Sequence, residues 1–97
     1  MRVALSVEYD GCAYHGWQLQ PGLHTLQGVI EQALSQVADS PVEVICAGRT
    51  DTGVHATHQV IHFDTQASRP LRAWVHGTNN FLPKDICIKW AYDVPET

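Results

Sequence analysis

Basic residues are scarce in this sequence: six lysines and arginines stand against ten aspartates and glutamates in 97 residues, a net charge of −4. They are scattered along the chain and form no cluster. A self-sufficient nucleic-acid module is normally basic, because neutralised phosphates supply most of its affinity. Either this chain does not bind nucleic acid, or the basic surface comes from elsewhere. Cysteine is equally sparse. Cys12, Cys46 and Cys87 are odd in number and lack metal-ligand spacing, which excludes a disulfide framework and points to reduced thiols in the cytoplasm. No apolar run approaches the ~20 residues that span a bilayer, so no membrane association is expected. The first residues, Met1 to Glu8, lack the apolar core and cleavage site of a signal peptide. There is no internal repeat or low-complexity tract.

What remains is an ordinary globular composition, with 44% apolar and 16% charged residues. A single domain of this length buries roughly 60–65% of its unfolded surface. Val3, Leu5, Val7 and Tyr9 alternate with polar or small residues, the period of a strand with one buried face. From Thr25, an N-cap residue type, Leu26, Val29, Ile30, Ala33, Leu34 and Val37 fall at helical spacing, and the pattern stops before Asp39-Ser40-Pro41. Val42, Val44 and Cys46 read as a second strand and residues 58–64 as a third. Pro70 opens a helix that turns Leu71, Trp74 and Val75 inward and gives way by Asn79-Asn80. Ile86, Ile88, Trp90 and Tyr92 alternate as a fourth strand, with Trp74 and Trp90 in the core. The order βαββαβ predicts an α+β, ferredoxin-like sandwich: an antiparallel sheet with two helices on one face and the first and third strands central.

The most telling run is Gly48-Arg49-Thr50-Asp51-Thr52-Gly53-Val54-His55-Ala56. A carboxylate and a guanidinium lie two residues apart, and Gly48 and Gly53 permit backbone shapes closed to other residues. A loop held between two strands is where a rigid scaffold presents reactive groups. The same spacing also suits a hairpin loop with a solvated ion pair.

The wording of this run resembles the active-site motif of the tRNA pseudouridine synthase A (TruA-type) family. Tyr9-Asp10-Gly11-x-x-Tyr14-x-Gly16-Trp17-Gln18 is similar to that family's N-terminal signature, and His62-Phe63-x-Thr65 and Leu82-Pro83-x-Asp85-Ile86 follow in the family's order. The resemblance covers nearly the whole chain. Thr52 departs from it, standing where bacterial members usually carry alanine.

The resemblance implies an isomerase that converts uridine to pseudouridine in the anticodon arm of tRNA. It implies Asp51 as the catalytic residue and Arg49 and Arg69 as RNA-binding residues. Breaking the bond from uracil N1 to the ribose, turning the base and rejoining it through carbon is redox-neutral, so neither a metal nor a small-molecule cofactor is expected. One ionised carboxylate serves either by covalent attack or by removing a sugar proton, and the sequence does not choose. Arg49 suits three roles: keeping Asp51 ionised, filling the space of an extruded nucleotide, or a plain surface ion pair. Family members act as homodimers and run on into a second domain that bears much of the tRNA surface. Residues 1–97 thus resemble the N-terminal catalytic half alone, expected to be weakly active or inactive in isolation, with the family's C-terminal domain absent.

Other residues invite rival readings. His58 and His62 share a strand face, with His55 and Cys46 nearby, but their spacing fits no zinc set and no metal is assigned. Tyr9, Tyr14 and Trp17 could stack bases, yet Tyr9 continues an apolar strand face and Trp17 suits loop packing. The alternative function is a non-catalytic ferredoxin-like RNA-binding or interaction module. A hydrolase resembling acylphosphatase, using Arg49 and the Asn79-Asn80 pair, would leave the Tyr9–Gln18 block without a purpose.

Overall fold

The alternating apolar residues of the N-terminus form β1 (Arg2–Tyr9), whose Val3, Leu5 and Val7 are fully buried. The structure, a computed structural model, describes residues 1–17, 20–46 and 56–95, with the backbone alone for 56–58. After β1 come a 3-10 turn at Gly11–Ala13, helix α1 (Leu26–Ala38), strand β2 (Ile45–Cys46) and strand β3 (Ala56–Asp64). A second helix, α2 (residues 71–79), and strand β4 (Ile86–Val94) complete the order. The strands lie in the order β2-β3-β1-β4, and every neighbouring pair is antiparallel. This is the expected βαββαβ sandwich, with β1 and β3 in the centre.

One face of the sheet carries the core. Val3, Leu5 and Val7 of β1 meet Ile61 and Phe63 of β3, Ile86 and Ile88 of β4, Leu26, Ile30 and Leu34 of α1, and Trp74 of α2. Phe63 and Trp74 meet edge to face, with ring centroids 5.1 Å apart. The two helices touch where Gly77 faces Val37; a Cβ at Gly77 would lie 3.3 Å from a Val37 methyl, which would have to give by a few tenths of an ångström.

α1 begins where the sequence predicts. Thr25 takes an extended conformation and its hydroxyl accepts from Gly28 N–H at 3.3 Å. It ends at Asp39, which adopts the left-handed conformation (φ 56°) that Asp tolerates better than most residues. Ser40 N–H then reaches back to Ser35 O.

Four elements differ from expectation. β2 is only two residues long. Val42 and Val44 point inward as predicted, but their N–H groups are taken by Ser35 Oγ and Glu31 Oε2 of α1 rather than by β3. β3 starts two residues early, at Ala56. The middle of α2, Ala73–Gly77, is wound as a π-helix. In β4 the register against β1 slips: Val7 faces Ile88 but Ser6 faces Trp90, leaving Lys89 as the extra residue. The bulge reverses which side chains face the core. Ala91 packs against it opposite Leu5, while Trp90 moves to the helix-free face and stacks on Tyr92 at 4.2 Å. Trp90 is therefore not a core residue. Ile45, Val60 and Tyr92, all exposed, share that open face.

Candidate active site

The segment after β1 is built as a clasp. Asp10 Oδ1 accepts from Cys12 N–H at 2.9 Å, which turns the chain into the 3-10 turn. Tyr14 N–H then bonds Gly11 O at 3.1 Å. Residues 15–17 run beside the start of α1: His15 N–H donates to His24 O, Leu26 N–H to Gly16 O and Gln27 N–H to Trp17 O. With Gly28 served by Thr25, the exposed donors of the helix's first turn all have protein partners. That end of α1 offers no vacant cradle for an anion. Gly16 sits at φ 78°, a conformation that favours glycine, and this lets its carbonyl reach the helix.

The aromatic residues of the block are structural. Tyr9, Tyr14 and Trp17 are each at most 4% exposed, and Tyr14 lies flat on His24 with centroids 4.7 Å apart. They fill the core and are not presented to stack bases.

A second segment closes against the clasp. Asp10 N–H donates to Asp85 O at 2.9 Å, and Tyr14 O–H donates to Asp85 Oδ1 at 2.6 Å. Burial, followed by the bond to Asp85, holds the Tyr14 phenol well above the usual tyrosine range, so it stays a donor. Nothing in the local sequence signals this pair, whose members are 71 residues apart. Tyr9, next to the clasp, faces Ile86 of β4 on one side and Ala56 of β3 on the other. Ala56 is the last residue of the glycine-bracketed run. Ala56 therefore lies beside Tyr9, the first residue of the N-terminal block, at one end of the sheet.

Asp51 and Arg49 lie outside the described residues, as do His55 and the side chain of His58. Arg69 is placed: its Nε donates to Val37 O at 3.1 Å and Nη1 to Ser68 O at 3.1 Å. It caps a carbonyl in the last turn of α1, a favourable place for a cation. Val37 lies eleven steps along the helix from Leu26, roughly 16 Å at 1.5 Å per residue, so Arg69 and the clasp occupy opposite ends of α1. Asn79, the residue an acylphosphatase-like site would need, is occupied. Its amide accepts from Ile88 N–H at 2.7 Å and donates to Ile88 O at 3.0 Å. Arg2 is committed to Asp64 through two bonds of 2.8 and 3.1 Å, and this guanidinium holds the Asp64 carboxyl below the usual range. Among the described residues no three His, Cys, Asp or Glu side chains gather as a metal site, and no helix is long and apolar enough to cross a membrane.

Comparison with known proteins gives this arrangement a context. Proteins called tRNA pseudouridine synthase A are similar along 99% of the chain: that of Legionella pneumophila (strain Lens) at 68% identity, and those of Actinobacillus pleuropneumoniae serotype 5b (strain L20) and Dechloromonas aromatica (strain RCB) at 57%. The chain spans 37% of the length of each of these relatives. The motifs noted above all fall inside residues 5–97, the stretch matched by a family model described as tRNA pseudouridine synthase, and on that match the chain belongs to the tRNA pseudouridine synthase family.

Proposed function

We propose that this chain is the catalytic N-terminal half-domain of an enzyme that isomerises uridine to pseudouridine in the anticodon arm of tRNA. Asp51 is the essential carboxylate. Arg49 binds RNA beside it and stabilises the extruded nucleotide. Arg69 contacts tRNA some distance from the reacting base, in addition to capping α1. The observation that carries this reading is the Gly48–Ala56 run in a chain 68% identical to a protein called tRNA pseudouridine synthase A. The meeting of Tyr9 and Ala56 at one end of the sheet supports it, because it sets the signature block beside the motif.

A chain of net charge −4 supplies little of the phosphate-neutralising surface that tRNA needs. That surface belongs to a second domain and to the partner of a homodimer, a reading supported by the family resemblance and by the 37% coverage of the relatives. The three free cysteines fit a cytoplasmic setting. The test is pseudouridine mapping in tRNA incubated with the whole natural protein. Pseudouridine should appear in the anticodon arm with wild-type protein and vanish with Asp51→Ala, while tRNA binding persists. Undiminished formation by Asp51→Ala would sink the assignment.

A further inference from the structure

Packing and helix capping account for most of the clasp, but not for the Tyr14 hydroxyl. A phenylalanine would fill the same space over His24. The hydroxyl instead makes a 2.6 Å bond to a carboxylate on a different segment, Asp85, whose own carbonyl accepts from Asp10. These two bonds pin the residues after β1 to the residues before β4. Ile86 N–H bonds Pro83 O, so the receiving turn is itself closed. Tyr9 stands between the pinned segments and pairs with Ala56, while the β1–β3 register breaks between Val7 and Tyr9. The β1–β3 ladder therefore does not run unbroken to the Tyr9–Ala56 pair; Tyr9 is held to β4 through Ile86, and the clasp extends that attachment beyond the end of β1. The chain enters β3 at Ala56 directly from the Asp51 motif.

We propose that Tyr14 and Asp85 are positioning residues: their hydrogen bond sets the end of β1 and, through Tyr9 and Ala56, the point at which the Asp51 motif joins the sheet. The inference rests on the reading of Asp51 given above. Neither residue touches the reacting atoms; both act through the backbone that carries the motif. Displacements of about 1 Å in a reacting group cost on the order of 10²-fold in rate, so a modest loosening would be visible in turnover long before it unfolded the domain.

The test is steady-state pseudouridine formation by the whole natural protein, comparing Tyr14→Phe, Asp85→Ala and Asp85→Asn with wild type and Asp51→Asn, with melting temperatures recorded for each. Tyr14→Phe and Asp85→Ala should lower kcat on the order of 10²-fold with KM unchanged and the protein folded at the assay temperature. Asp85→Asn keeps an oxygen acceptor for Tyr14 and should restore kcat close to wild type. The proposal is overturned by a normal kcat in Tyr14→Phe, by Asp85→Asn failing as badly as Asp85→Ala, or by loss of folded protein in both disruptive variants, which would assign the bond to stability alone. Turnover by Asp51→Asn would instead contradict the role of Asp51, whatever the Tyr14 variants do.

Discussion

Replacing Asn79 with alanine tests how the edge of the sheet is held. β4 pairs with β1 along one side only, and its register slips just after Ile88. There the Asn79 amide supplies both a donor and an acceptor to the Ile88 backbone, at 3.0 and 2.7 Å. A hydrogen bond of this kind contributes about 1 kcal/mol net, so losing two should cost about 2 kcal/mol, more if the Ile88 groups stay dry. In a domain of this size that corresponds to a drop in melting temperature of roughly 10 °C. Asn79→Asp sharpens the test. An ionised carboxylate still accepts from Ile88 N–H but faces the Ile88 carbonyl oxygen, so near neutral pH it should rescue little. Below about pH 4 the introduced carboxyl is protonated and donates again, and the gap to wild type should narrow. Thermal and urea unfolding followed by circular dichroism supply both numbers. A loss below about 0.5 kcal/mol for Asn79→Ala, the scatter of ordinary surface changes, would refute the reasoning.

Other outcomes follow from the same contacts. Arg69→Ala removes a charge-assisted cap from α1 and should cost about 1 kcal/mol in urea unfolding; in the whole protein it should also weaken tRNA binding, and an unchanged tRNA titration would leave it a capping residue only. Arg49→Ala should suppress turnover strongly with little change in melting temperature; early melting with normal turnover per folded molecule would make it a structural ion pair. Tyr14 gives a pH signature. Its folded-state pKa lies above the unfolded value near 10, so the unfolded chain sheds this proton first and stability falls as pH rises past about 10. Tyr14→Phe lacks that group, and the stability difference between it and wild type should shrink over the same range in pH-dependent urea titrations.

The sequence carried the fold because each main element has a local signal: the alternation of Val3, Leu5 and Val7, and the Thr25-capped spacing of Leu26, Ile30 and Leu34. It misplaced what depends on distant partners. Trp90 sits at the position the alternation gives to the core, and only the slip against Ser6 and Val7 turns it outward. Val42 and Val44 have strand-like spacing, but the side chains of Ser35 and Glu31 compete successfully for their N–H groups. At the candidate site, the burial of Tyr9 was legible from the apolar strand face it continues, and that of Trp17 from its place in a loop that packs on the domain. The Tyr14–Asp85 bond was not, because both residues are ordinary for their local segments and meet only when β1 and β4 pair. Arg69 shows the same limit: a charge before a helix reads as solvated, whereas the carbonyl it caps belongs to another helix.

The most direct measurement of the central claim is quantitative pseudouridine mapping on tRNA with the whole natural protein carrying Asp51→Asn, beside Asp64→Asn and Asp93→Asn as carboxylate controls. Modification of the anticodon arm should disappear with Asp51→Asn alone, while that variant still binds tRNA and melts near wild type. Pseudouridine formed at the wild-type rate by Asp51→Asn, or lost equally in all three variants, would contradict that claim.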